Sequence, residues 1–183
     1  MRVSAGFLLL SLWFGAVNGW RMLALVLAAA LIHEGGHWLM LKVLGANVLG
    51  VRVGLLGAVM EADCRRLSYG RELIAVLAGP WANLAAAWGL AAAGMETAAG
   101  AHLVLGAFNL LPLRPLDGGR SLWLMSAWLL GPDAAERIVR VVGILTAVSL
   151  AAGLCFLMHW MGGSLWLLPP VGGLLAAVWR ELC

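Results

Sequence analysis

Long apolar runs alternate with short polar connections along nearly the whole chain. A helix needs roughly 17–25 mostly apolar residues to cross a bilayer. Stretches that approach or reach this length predict about six membrane-spanning helices. They are residues 3–17, 22–41, 73–95, 98–112, 138–160 and 163–179. The first and fourth are short for a span and depend on their flanking residues.

The composition agrees with a membrane protein. The chain has 183 residues, of which 63% are hydrophobic and 11% charged, whereas a soluble domain carries about a quarter charged residues. The connections leave little chain for a soluble domain, so we expect a single membrane-embedded domain over residues 1–183, with the lipid bilayer as its surroundings. The net charge of +3 is spread over short connections, which argues against nucleic-acid binding.

The distribution of lysine and arginine predicts the orientation. With six spans, eleven of these residues fall on one side of the membrane and Arg21 alone on the other. Cytoplasmic connections collect cations, so we expect a multi-pass protein of the cell membrane with both termini cytoplasmic. The alternative for the N-terminus is a cleaved secretory signal, because Arg2 precedes a short apolar run and small residues.

Two connections have a pattern of their own. Residues 47–61 are rich in valine and punctuated by glycine, which predicts a short membrane-associated β-hairpin. It is either a plain cytoplasmic hairpin or a strand offered to an extended peptide. Residues 121–130 are apolar but too short to span, and they predict an interfacial or buried helix.

The candidate chemistry lies within the second span, in His33-Glu34-Gly35-Gly36-His37. Positions four apart share a helix face, so both imidazoles can reach one metal ion with the carboxylate beside it. Zinc suits neutral imidazole and lowers the pKa of bound water to about 7. Glu34 can then act as the general base. A purely structural role is the alternative, but ionisable groups inside a bilayer are costly unless they are paired or coordinated.

Two histidines leave a zinc ion short of a ligand, and Asp117 is the leading candidate for the third. The second and fourth predicted spans both run inward, which brings the histidines and Asp117 to a similar depth near the cytoplasmic face. Gly118 and Gly119 permit a tight turn after Asp117. A bare Asp-Gly-Gly is otherwise an ordinary turn.

The motifs together resemble the site-2 protease family of intramembrane metalloproteases, peptidase family M50. The elements are His33-Glu-Gly-Gly-His37, Gly79-x-x-x-Asn83, Asn109-x-x-Pro112 and Leu116-Asp117-Gly118-Gly119. The resemblance covers about residues 22–120 and implies a three-helix catalytic core there. It implies that His33, His37 and Asp117 bind one zinc ion and that Glu34 is the general base.

The resemblance also places Asn83 and Asn109 near the active site. We expect Asn83 to be a hydrogen-bond donor toward the developing oxyanion and Asn109 to hold the Asp117 loop or the substrate. A helix-packing amide is the alternative for each. In this family the hairpin is thought to pair with an unwound substrate. The implied substrate is a membrane-associated protein, and a membrane regulatory partner is compatible with the pattern.

The compact form with cytoplasmic-side chemistry resembles the sporulation stage IV branch, which activates a membrane-tethered sigma-factor precursor. The sequence has no PDZ-like insertion and, after Glu181, no residues for the CBS domain of that branch. A membrane metal transporter and a catalytically silent relative are the competing interpretations. Transport predicts ionisable residues across the full depth of the bilayer, and here they gather at one level. We expect His102 and His159 to pack at the membrane interface.

Overall fold

A computed structural model describes residues 2–54, 57–63 and 67–160. These residues form six helices and three strands, and the predicted sixth span, residues 163–179, lies outside them. The helices are α1 Ala5–Asn18, α2 Trp20–Val43, α3 Tyr69–Ala92, α4 Glu96–Asn109, α5 Asp117–Leu130 and α6 Pro132–Trp160; the strands are β1 Arg2–Val3, β2 Asn47–Gly54 and β3 Gly57–Asp63.

The chain divides into two compact units, Met1–Asn109 and Leu110–Cys183. The first contains α1 to α4 and the sheet, and α5 and α6 belong to the second. The single domain over the whole chain therefore stays a prediction.

Three of the described helices, α2, α3 and α6, are long and apolar enough to cross a membrane. The first and fourth predicted spans also form helices, but α1 and α4 have only 14 residues each. At 1.5 Å per residue each is about 21 Å long, less than the roughly 30 Å of a bilayer's hydrocarbon core. The predicted class, a polytopic helical membrane protein with a small sheet, is confirmed.

The valine-rich connection forms the predicted hairpin. Strands β2 and β3 pair antiparallel from Asn47↔Asp63 to Gly54↔Gly57. The sequence did not predict β1, which pairs parallel with β2 through Arg2↔Arg52. A two-residue strand is too short to leave an alternating pattern. The first helix begins after Ser4, whose Oγ accepts a hydrogen bond from the Phe7 N–H at 3.2 Å.

Helices α1 and α2 follow each other across a single residue, Gly19. Its φ of 90° lies in the left-handed region, which a side chain would disfavour. The Gly19 N–H donates to the Gly15 carbonyl at 2.9 Å and closes the last turn of α1. A glycine with this geometry therefore ends α1 and allows α2 to start at once.

Small residues form the helix contacts of the first unit. Ala29 on α2 and Ala75 on α3 are buried. A Cβ on Gly36 would lie 2.6 Å from the Ala78 carbonyl oxygen, so α2 and α3 are in backbone contact there. Membrane helices associate in this way because small residues allow close van der Waals packing.

Several large apolar side chains face outward instead. Among the tryptophans, Trp81, Trp88 and Trp128 are 65%, 80% and 64% exposed. Their exposure excludes burial inside the protein. In a membrane protein such side chains contact lipid or the interface.

In the second unit, α5 packs against α6 around Leu124 and Val139, both fully buried. Before α5, Arg114 binds both carboxylate oxygens of Glu136 on α6, at 2.8 and 2.7 Å. Both side chains are about 40% exposed, so the pair contributes at most about 1 kcal/mol. Its effect is to fix the segment that leads into α5.

The α2–α3 contact can be tested with adjacent glycines. Gly36→Ala would press its methyl group against the Ala78 carbonyl, and overpacking of this kind costs about 1–3 kcal/mol. Gly35→Ala is the matched control, because nothing lies within 4 Å of its Cβ position and alanine favours helix by about 1 kcal/mol over glycine. Thermal unfolding in detergent, followed by circular dichroism, should show a lower midpoint for Gly36→Ala only. Equal midpoints would contradict the contact.

Candidate metal centre

Helix α2 brings the two predicted histidine ligands together. The Nε2 atoms of His33 and His37 lie 3.2 Å apart, and their rings stand nearly perpendicular at 83°. Two nitrogens bound to one tetrahedral zinc ion at about 2.0–2.1 Å lie about 3.3–3.4 Å apart. The paired imidazoles therefore fit a zinc ion.

The hydrogen bond made by His37 Nδ1 determines whether His37 Nε2 carries a proton. His37 Nδ1 lies 2.9 Å from the Ala75 carbonyl oxygen on α3. A carbonyl only accepts, so Nδ1 carries the proton and Nε2 keeps its lone pair. Metal-binding histidines commonly have such a partner, which orients the ring and raises its basicity.

Glycine at position 79 makes room for the His37 ring. A Cβ at this position would overlap the imidazole, with Cε1 at 2.6 Å and Cδ2 at 2.7 Å. The glycine of the Gly79-x-x-x-Asn83 element thus has a structural reason: it leaves space for the His37 imidazole. The Pro80 ring beside it is fully buried in α3.

The same element delivers Asn83 to the other histidine. Asn83 is 0% exposed and His33 4% exposed. Asn83 Nδ2 lies 3.3 Å from His33 Nδ1, and Asn83 Oδ1 lies 3.0 Å from His102 Nδ1 on α4. Buried polar side chains from α2, α3 and α4 therefore form one continuous hydrogen-bonded chain.

Glu34 follows His33 directly on α2 and is half-buried. A carboxylate at this position stands beside the two imidazoles on the helix surface, as a general base for a zinc-activated water would. The roles of Glu34 as base and of Asn83 as oxyanion donor stay predictions. Both atoms of the Asn83 amide contact histidine nitrogens.

Asp117 belongs to the second unit and is the first residue of α5. The expected tight turn at Gly118 and Gly119 is wrong, because both lie in the first turn of this helix. An acidic residue is favoured there by the helix dipole. A Cβ on Gly119 would lie 2.5 Å from the Leu113 carbonyl oxygen, so glycine serves close packing instead of a turn.

Asn109 ends α4, where its Nδ2 donates to the Leu105 carbonyl at 3.0 Å. This bond within its own helix fixes the side chain at the α4 terminus. The expected role in holding the Asp117 loop or the substrate stays a prediction.

The contact that His102 makes was not predicted from the sequence. We expected interfacial packing, but this side chain is 4% exposed and hydrogen-bonded to Asn83. One signal could have found it: His102 precedes Asn109 by seven residues, two helical turns, so both occupy one face of α4. His159, for which we also expected packing at the membrane interface, is exposed near the end of α6.

Comparison with known proteins agrees with this description. The chain is 31% identical, over 195 aligned positions, to "Putative zinc metalloprotease Rip3" from two strains of Mycobacterium tuberculosis. The alignment covers 92% of this chain and 47% of the relative, so the chain spans about half the length of the curated relatives it matches. No protein-family model matches the chain.

The fold matches that of a solved protease structure. The "Site-2 Protease from Methanocaldococcus jannaschii" superposes with a TM-score of 0.69 at 21% identity, covering 98% of this chain and 88% of that one. The described residues thus form a helical membrane protein with the fold of that structure and a pair of adjacent histidines on one helix face. The sequence relationship to the mycobacterial proteins and this fold both agree with the family resemblance of the motifs.

The space that Gly79 leaves for the His37 ring can be tested by adding one methyl group at this position. Gly79→Ala should displace the His37 ring and lower zinc affinity about 10- to 100-fold, the usual effect of disturbing a ligand's support. Gly89→Ala on the same helix is the control, since nothing lies within 4 Å of its Cβ position. Zinc dissociation constants from competition with a chelator would measure the difference. Unchanged affinity for Gly79→Ala would show that the ring can move freely.

Proposed function

We propose that this chain is the membrane-embedded catalytic part of a zinc endopeptidase that cuts a membrane-associated protein within or next to its transmembrane segment. The observation that supports it most is the pair of imidazole nitrogens 3.2 Å apart on an apolar helix. Ionisable side chains inside a membrane helix are costly and therefore usually mark a functional site. The neighbouring glutamate makes hydrolysis the fitting function.

Zinc, when bound, supplies a Lewis acid that lowers the pKa of water to about 7. His33, His37 and Asp117 would hold the ion. The support for these three residues is the motif resemblance, together with the paired imidazoles of α2. Two neutral imidazoles and one carboxylate are a ligand set typical of catalytic zinc sites, which keep a further position open.

Glu34 would move the proton. Its carboxylate accepts the proton of the attacking water and then donates it to the amine nitrogen that leaves when the peptide bond breaks. Where apolar helices exclude bulk water, every electrostatic interaction in the site is stronger. The oxyanion-donor role predicted for Asn83 is an alternative to the positioning role that its contacts with His33 and His102 support.

The sheet is suited to bind a substrate in an extended conformation. In the described part of the chain, β3 is an edge strand of a sheet with the order β1-β2-β3. An edge strand offers unpaired backbone groups to a peptide in β conformation. A substrate helix must unwind before its backbone can enter a protease site, and strand pairing would hold the unwound segment.

The orientation and the biological substrate belong to the same proposal. The one-sided distribution of lysine and arginine supports cytoplasmic termini and cleavage near the cytoplasmic face. A membrane-tethered sigma-factor precursor is the finer suggestion, and it rests on the resemblance to the sporulation branch alone. A membrane regulatory partner would act on the same site.

Glu34→Gln tests the proposed chemistry. Co-expression with tagged single-span proteins should give cleavage for the wild type and none for the variant, because the amide cannot accept a proton. Bound zinc should be kept, since Glu34 is not a proposed ligand. Glu96→Gln, an exposed glutamate at the start of α4, is the control and should cleave normally. Equal cleavage by Glu34→Gln would exclude it as the base, and zinc flux without cleavage would favour transport.

Asp117→Asn tests the third ligand. Loss of a charged ligand should weaken zinc binding by about 100-fold or more, beyond the roughly 10- to 100-fold typical of supporting residues. Asp133→Asn, in the exposed first turn of α6, provides a matched control. Metal content after dialysis against a weak chelator would distinguish them. Full zinc content in Asp117→Asn would require another third ligand.

A further inference from the structure

The buried polar chain extends beyond the proposed zinc ligands and ends at His102. It runs from His37 to His33, then through the Asn83 amide to His102, over distances of 3.2, 3.3 and 3.0 Å. His33, Asn83 and His102 are each at most 4% exposed. The polar atoms between His33 Nδ1 and His102 Nδ1 therefore depend on one another as hydrogen-bond partners.

An amide between two histidines couples their tautomers. Its oxygen only accepts hydrogen bonds and its NH2 group only donates. If His102 Nδ1 carries a proton, the amide oxygen faces it and the NH2 group faces His33 Nδ1. If His102 Nδ1 carries a lone pair, the amide is reversed and its oxygen accepts from His33 Nδ1. The state of one ring thus determines the state of the other.

Zinc binding favours one of these two arrangements. A neutral His33 that binds a cation through Nε2 must carry its proton on Nδ1, and this N–H then needs an acceptor. The amide in the structure presents Nδ2 to His33 and Oδ1 to His102. Binding zinc through His33 Nε2 therefore requires the Asn83 amide to turn over.

We propose that His102 is a positioning residue for the zinc ligand His33: acting through Asn83, it accepts from the reversed amide and thereby holds His33 in the metal-binding tautomer. The proposal rests on the zinc site proposed above. A histidine suits this position because its Nδ1 can donate in one arrangement and accept in the other, without a change of charge.

The close packing of α4 against α3 supports the contact between His102 and Asn83. Gly106 lies four residues after His102, on the same helix face. A Cβ on Gly106 would lie 3.2 Å from the Asn83 Cβ and 3.4 Å from the Pro80 carbonyl oxygen. Helix α4 thus comes close to α3 at Asn83, and this proximity lets the His102 ring reach the amide.

Variants of His102 test the role through zinc affinity. His102→Leu removes the acceptor and should weaken zinc binding about 10- to 100-fold. His102→Gln can both accept and donate, and it should restore most of the affinity. His159→Leu makes the same chemical change at an exposed site and should have no effect. Dissociation constants come from chelator competition, and thermal unfolding in excess chelator reports the fold separately.

A double mutant separates this role from simple packing. If His102 acts through Asn83, His102→Leu should weaken zinc binding in the wild type and add little in an Asn83→Ala background. Additive losses in affinity would overturn the proposal. Equal affinity of the wild type and His102→Leu would overturn it as well.

The wild-type protein gives a test that needs no variant. Nitrogen-15 NMR of histidine-labelled protein in detergent distinguishes a protonated ring nitrogen from an unprotonated one. Zinc titration should move the His102 proton from Nδ1 to Nε2 and leave His159 unchanged. An unchanged His102 in zinc-loaded protein would refute the inference and leave the protease proposal intact. A wild type that binds no zinc would refute the zinc site itself.

Discussion

A histidine ring inside an apolar helix is stable only when both of its nitrogens have partners, and this constraint organises the first unit. The Nδ1 atoms of His37 and His33 are satisfied by α3, through the Ala75 carbonyl and the Asn83 amide. Their Nε2 atoms lie 3.2 Å apart. The positions of α2 and α3 follow from this requirement, since a shift of either helix would leave a buried nitrogen unpaired.

Close approach of the helix backbones makes these short contacts possible. Glycine at position 36 allows α2 to touch Ala78, and glycine at position 79 leaves space for the His37 ring. A larger residue at either site would separate α2 from α3 and lengthen the hydrogen bonds. Small residues therefore have two effects here: they provide the packing that membrane helices need, and they set the distance at which imidazoles from one helix meet acceptors on the next.

The features that sequence reasoning predicted are those with a local pattern. Spacing places His33 and His37 on one face, and valine with glycine predicts the hairpin. The β1 strand was missed because two residues carry no periodicity. The helical start at Asp117 was missed because two glycines usually mark a turn, and here they allow contact with the carbonyls of Leu110 and Leu113. The contact of His102 depends on the packing of α4 against α3, which no local pattern records.

The polar chain also explains why a site of this kind depends on residues two contacts away from the metal. In a soluble protein, water could satisfy the far side of the Asn83 amide, and replacing His102 would change little. In a buried site no such substitute is at hand, so the orientation of one amide is decided by one ring on α4. Low dielectric strengthens the effect of a bound ion on water. For the same reason, residues that do not touch the ion also determine whether it binds.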